Sequence, residues 1–347
     1  MDNCLLLVLI GRTHTRLARV VASKGTTPTS PAQPGPDLQP APPIVHEALL
    51  AGGAAPASLS SADRLAEPLA QQLSTWIRAA RQPGANAQPA DRTLIASADD
   101  ALAQRIATRL STLGITDVST LVAPGRAAPA GRSHAVPLVI DSGATSAIGT
   151  DRLLAALGAS ARLGQAVAIV DAGALLTIDL CDRHGVLVGG TAAPGLSATL
   201  EAAHAAASQS VGPPLPLVAR PPTAAALPTG AMSLDAGDAT LLGAVHAARG
   251  LVRYQVELMA EVGGVYPRVV ATGPDAALLL DRDELVEHIV PDLGLIGMLE
   301  AWTRLNADPD DGTGALPLDE LDDDNNDEGD DDVLADDATS TRGGGPR

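Results

Sequence analysis

The sequence predicts an α/β fold, and three observations carry that reading. Short apolar, β-branched runs such as Val167–Val170 and Arg268–Ala271 read as buried strands. Between such runs lie longer stretches with apolar residues at helical spacing. Leu65, Leu69, Leu73, Trp76 and Ile77 share one face, and Leu241, Ala244, Val245, Ala248, Leu251, Val252 and Met259 share another. The strand-like runs end in glycine or aspartate turns, where layered α/β folds gather their ligands.

In chain order, Leu5–Ile10 reads as a first strand and Arg16–Val21 as a second, joined by the polar turn Gly11, Arg12, Thr13, His14 and Thr15. That turn is either an ordinary hairpin or a phosphate loop, because glycine permits close backbone approach and hydroxyls and amides hold anions. Residues 22–58 are rich in proline, threonine and serine and read as an insertion or loop. A helix is expected over 61–80, a strand over 93–97, a helix over 98–113 stopped by Gly114, and strands over 119–122 and 136–140. Further on, strands are expected over 167–170, 177–180 and 186–188, then an alanine-rich helix over 196–208. Residues 211–228 are proline-rich and irregular. A long helix over 237–262, a strand over 268–271, a helix beginning at Ala276 and a final helix over 293–305 complete the body. The proposed division is a domain over 1–148, a second over 149–305, and an acidic tail over 306–347.

Composition excludes some functions. The chain has 347 residues, enough for two domains, and its aromatics are only 1% with no phenylalanine, so the core must be aliphatic. The net charge of −18 is concentrated: residues 306–347 carry 15 acidic and 2 basic side chains. That tail has too few apolar groups to build a core and reads as disordered, either a solubilising tail or a binder of a basic partner or cation. The acidity argues against nucleic-acid binding. Two cysteines, Cys4 and Cys181, in separate strands give no disulfide framework and no zinc site, which suits a reducing cytoplasm. The opening apolar run ends at Gly11 and lacks a basic leader, so it reads as a strand and not as a signal or membrane span.

The chemistry is expected between Gly149 and Gly195. Thr150 or Asp151 begins a helix, where a carboxylate feels the positive end of the helix dipole. Asp171 ends the apolar run Val167–Val170, with Gly173 two residues on, and a segment Gly189, Gly190, Pro194, Gly195 lies behind. Either aspartate alone fits a cap or a turn. The pair, with glycine turns beside both, fits a ligand site.

The order of these motifs resembles the type III pantothenate kinases, members of the actin-like kinase superfamily. The family's opening Asp-x-Gly-Asn-Thr falls on Leu9, Ile10, Gly11, Arg12 and Thr13, with Arg16 at its basic position. Its Gly-x-Asp-Arg is Gly149, Thr150, Asp151 and Arg152. Its Asp-x-Gly-Thr-Ala-x-Thr-x-Asp runs from Asp171 through Ala174 and Thr177 to Asp179, and its Gly-Gly-x-Ile-x-Pro-Gly from Gly189 to Gly195. Its Leu-Pro is Leu227 and Pro228, its Gly-x-Asn-Thr ends at Thr240, and its Thr-Gly-Gly is Thr272, Gly273 and Pro274.

The resemblance implies a duplicated, ribonuclease H-like kinase fold with an interdomain cleft, and ATP-dependent phosphorylation of pantothenate, the entry step of coenzyme A synthesis. It implies Asp151 as general base, and Gly149, Thr150, Asp151, Arg152 and Thr240 around pantothenate, with Thr240 reaching it from a dimer partner or a neighbouring loop. It implies Leu9, Ile10, Gly11, Arg12, Thr13, His14, Thr15, Arg16 and Ala174 around ATP, with Mg²⁺, and Asp171 holding a monovalent cation, K⁺ or NH₄⁺. A cytoplasmic homodimer is expected. The chain departs from the pattern at Leu9, Arg12, Ser142, Ala174 and Pro274. Leucine cannot ligate a hard cation. These departures raise a second expectation, a catalytically impaired relative acting as a sensor or accessory protein.

Overall fold

The computed structural model describes residues 4–11, 14–21, 45–51, 61–81, 90–125, 132–141, 148–209, 216–281 and 283–307. Those up to Asn306 belong to one compact unit. The acidic tail lies outside the described residues, as do Arg12, Thr13 and Ser142.

The first sheet is built from β1 (Cys4–Ile10), β2 (His14–Val21), β3 (Val45–Ala51), β4 (Ala90–Ser97), β5 (Val118–Val122) and β6 (Ser133–Ala135), in the order β3-β2-β1-β4-β5-β6. The second comprises β7 (Val167–Ala172), β8 (Leu175–Cys181), β9 (Leu187–Pro194), β10 (Arg268–Thr272) and β11 (His288–Ile289), in the order β11-β10-β7-β8-β9. Both follow one plan. The first three strands run as an antiparallel meander, and the fourth and fifth add in parallel on the far side of the first. A three-two-one-four-five order used twice is the duplicated, actin-like arrangement of ribonuclease H-like sheets.

Helices fill the layers. α1 (Ser61–Arg81) and α2 (Asp100–Thr112) cover the outer face of the first sheet, where Leu73, Ile77, Ile106 and Leu110 pack on Leu6, Val8, Ile10 and Ile95. α3 (Thr150–Leu163) and α7 (Leu293–Leu305) share a core with the inner faces of both sheets, joining Leu5, Leu7 and Leu94 to Val167, Ile169 and Val270. Leu153, Leu154 and Leu157 of α3 are fully buried there, each worth roughly 1.5–3 kcal/mol. The two helices touch backbone to backbone: a side chain at Gly297 would run into the Leu154 carbonyl. α4 (Leu196–Ser208), α5 (Ala236–Gly263) and α6 (Ala276–Leu280) contribute to the core on the outer face of the second sheet. Among the described residues no helix is long and apolar enough to cross a membrane.

Two sequence expectations are corrected. Residues 22–58 are not all loop: Val45–Ala51 forms β3, pairing with β2. The apolar run at its centre was masked by the surrounding prolines. The strand expected over 136–140 is displaced to Ser133–Ala135, leaving only a bridge from Ile140 to Leu187. Pro137 lacks the amide a ladder needs.

Candidate active site

Strand alternation decides which side chains meet. Along β7, Val167 and Ile169 enter the inner core while Ala168, Val170 and Ala172 enter the outer one, so Asp171 points inward. On β8, Leu176, Ile178 and Leu180 are outer and Cys181 inner, which puts Thr177 and Asp179 on the inner face with Asp171. The register sets Thr177 directly opposite Asp171 and Asp179 opposite Gly190. In the first sheet, Leu5 and Leu7 are inner, as are Leu9 and its cross-strand partner Arg16.

The first turn of α3 enters between these faces. Gly149 is its N-cap and supplies no side-chain cap. Thr150 is fully buried and donates its hydroxyl to Asp100 at 2.6 Å, tying the start of α3 to the start of α2. Asp151 is partly exposed and accepts the Arg152 amide at 3.0 Å. The Arg152 guanidinium forms a two-pronged pair with Asp179: Nε donates to Oδ2 at 2.9 Å and Nη2 to Oδ1. Arg152 is 19% exposed and Asp179 only 3%. Arg16 pairs with Asp292 at 3.5 Å, just before α7.

The charges are mutually felt. Burial pushes the Asp171 carboxyl up to about 6, the Asp151 and Asp179 charges push the same way, and Arg16 and Arg152 oppose them. Burial also raises Asp179, against the pull of Arg152 and with a push from Asp151. For Arg152 burial acts downward, and Asp179, Asp151 and Asp171 together carry its pKa above the ordinary value. Asp151, Arg152, Asp171 and Arg16 thus occupy one electrostatic neighbourhood. The Thr177 hydroxyl, buried beside Asp171, has no hydrogen-bond partner among the described residues.

Other predicted residues are placed elsewhere. Ile10 is 3% exposed in the outer core of the first sheet, and Thr15, its cross-strand partner at 2%, shares that face. Their side chains therefore turn away from Arg16, and only their backbone can face a nucleotide. Leu9 packs against the inner core and the first turn of α7, where its Cδ2 would lie 2.6 Å from a Cβ at Gly294. Gly11 is partly exposed at the end of β1, and His14 begins β2. Ala174 lies in the β7–β8 turn, where its carbonyl accepts the Gly195 amide at 3.1 Å. Thr240 sits in the first turn of α5, on the outer side of the second sheet, and donates to the Ala236 carbonyl at 2.7 Å. Its helix packs on the face of the second sheet opposite to the one that carries Asp171. Asp179 was quoted only as a motif position; its pairing with Arg152 needed the strand register to appear.

Comparison with known proteins follows the same residues. The model of the type III pantothenate kinase family matches residues 62–257, more than half of the chain. A type III pantothenate kinase of Akkermansia muciniphila is 34% identical over 154 residues, 44% of this chain and 58% of the relative. One from Maricaulis maris is 33% identical over 162 residues, 47% and 58%. The chain thus matches 58% of the length of these curated relatives. Among solved structures, a conserved putative Baf family transcriptional activator from Campylobacter jejuni is 13% identical with a TM-score of 0.45, covering 85% of this chain and 96% of that one. A glucokinase from an Antarctic psychrotroph is 10% identical with a TM-score of 0.39, covering 86% and 98%. The matched span holds the α3 start, the β7–β8 turn and the first turns of α5, and on it the chain belongs to the type III pantothenate kinase family.

Proposed function

We propose that this chain transfers the γ-phosphoryl group of ATP to the hydroxyl of pantothenate, giving 4'-phosphopantothenate and ADP. The observation that supports this most is the charge coupling between Asp151 and Asp171 in a space that also receives Arg16 and Arg152. Asp151 accepts the proton of the acceptor hydroxyl as its oxygen bonds to the γ-phosphorus, and the bond from that phosphorus to the β–γ bridging oxygen breaks. Arg152 receives the pantothenate carboxylate by a charge-assisted hydrogen bond from the guanidinium nitrogen that Asp179 leaves open. Gly11 and Arg16 face the phosphates. In this reading two lobes, 1–148 and 149–305, close on the substrates.

The residues fit the implied ions unequally. Asp171 is a partly buried carboxyl pressed by Asp151 and only partly compensated, which suits a monovalent cation. The end of β1 does not fit Mg²⁺, because Leu9 offers no oxygen and packs toward Gly294. Among the described residues no three His, Cys, Asp or Glu side chains converge to hold a metal. Thr240, on the opposite side of the second sheet from Asp151, reaches the same substrate only from a second copy, which favours a homodimer; the cytoplasm is its proposed compartment.

The test is a coupled assay with pantothenate, ATP, Mg²⁺ and K⁺ or NH₄⁺. Pantothenate-dependent ADP release that disappears in Asp151→Asn supports the kinase. The packing of Leu9 favours a second reading, a relative that binds pantothenate without turnover as a sensor or accessory protein. Pantothenate binding with no ADP release in any of these salts selects it.

A further inference from the structure

Arg152 does not stand free at the mouth of the site. Two of its three guanidinium nitrogens are committed to Asp179, and Nη1 donates to none of the described residues. Bidentate pairing fixes the plane of a guanidinium as well as its position. Asp179 is nearly sealed from solvent and sits in the middle of β8, a rigid central strand of the second sheet. The facing residue on β9 is Gly190, where a Cβ would collide with Asp179 Oδ1 and also with the β8 backbone at Ile178 and Asp179, so the strand pairing itself requires glycine there. A buried acid is costly to keep unless it is paired. Asp179 is therefore placed where the proposed chemistry does not touch it, at the back of the residue that does.

We propose that Asp179 is a positioning residue for substrate recognition: it holds the Arg152 fork so that Nη1 alone is presented to the carboxylate of the acceptor. The assignment rests on the reading of Arg152 as the carboxylate receptor. It makes the site selective for a carboxylated acceptor over a neutral one of the same shape. An arginine released from Asp179 still carries its charge but samples many rotamers, so the loss falls on ligand binding and less on the transfer step.

The experiment is calorimetric titration of the full chain with pantothenate and with its neutral analogue in which the carboxylate is reduced to a primary alcohol. In Asp179→Asn, pantothenate should bind about tenfold or more weakly, the scale of one charge-assisted contact, while the neutral analogue changes by less than about twofold. Where turnover is measurable, KM should rise with kcat within about threefold. Asp179→Glu should recover part of the discrimination. In an Arg152→Ala background, Asp179→Asn should add nothing further. Equal weakening of both ligands, no weakening of either, or an undiminished Asp179 effect without Arg152 overturns the assignment. Should Asp179→Asn fail to fold, the smaller neutral Asp179→Ser carries the same test. Wild-type protein that binds pantothenate no better than the neutral analogue overturns the Arg152 reading itself, a result distinct from intact discrimination that ignores Asp179.

Discussion

The ends of β1 and β7 are the same place in two copies of one sheet plan. Each strand is the first of its meander, each has its fourth strand added in parallel, and each carries the residue in question one position before its last, on the inner face. At that position β7 has Asp171, partly buried and pressed by two other carboxylates, whereas β1 has Leu9, packed against the inner core and α7. Their cross-strand partners differ in the same sense: Thr177 leaves an unpartnered hydroxyl beside Asp171, and Arg16 turns from Leu9 to Asp292. The backbone plan does not require a charge at this site. A carboxylate at one end and a hydrocarbon at the other make the second sheet's strand end a charged position and the first sheet's a packing element.

Four measurements break or sharpen that contrast, in decreasing size. Asp151→Asn removes the acceptor base on the second-sheet side and should lower kcat about 10²–10⁴-fold at nearly unchanged pantothenate affinity, read by the coupled assay and by titration. Leu9→Asp restores a carboxylate to the β1 end at the expense of apolar packing and should destabilise the fold by about 2–3 kcal/mol in a denaturant titration. If it also raises Mg²⁺-dependent ATP binding, the two strand ends are chemically equivalent; if not, only the second remains a charge site.

The third measurement uses pH. The folded Asp171 carboxyl lies near 6, above its ordinary 3.8. Between those values the folded state holds the proton more tightly than the unfolded chain. Asp171 therefore supports the fold fully only below its unfolded pKa, and that support is lost as pH rises through about 6. Asp171→Asn should stabilise the cation-free protein by roughly 1–2 kcal/mol at about pH 7.5 and by almost nothing near pH 4. Added K⁺, compared with a bulky organic cation, should narrow the difference. Last, Asp99 shows an aspartate in the opposite role: it caps α2 by accepting the Ala101 and Leu102 amides at 3.0 and 3.3 Å. Asp99→Ala should therefore cost about 1 kcal/mol at neutral pH, visible as a lower denaturant midpoint.

Much of this was legible in the chain. Period-two and helical runs placed most strands and helices, because buried faces leave a periodic trace. Asp151 and Asp171 were legible as a pair because each closes or opens a regular element beside glycine. The inward and outward faces were not. The resemblance groups Ile10 and Thr15 with Arg16 around one ligand, but pairing across β1 and β2 sends their side chains to the other face of the sheet. The grip of Asp179 on Arg152 joins positions 27 residues apart across a helix and a strand, and no local pattern reports such a contact. β3 was hidden because proline-rich flanks outweigh a short apolar run in any window reading.

The seat of Leu9 toward Gly294 reaches beyond energetics. One side chain can extend into α7 because the other is absent, so the two positions are free to vary only as a couple. A shorter side chain at position 9 would leave a hollow at the head of α7, and a larger one at position 294 would push the end of Leu9 aside.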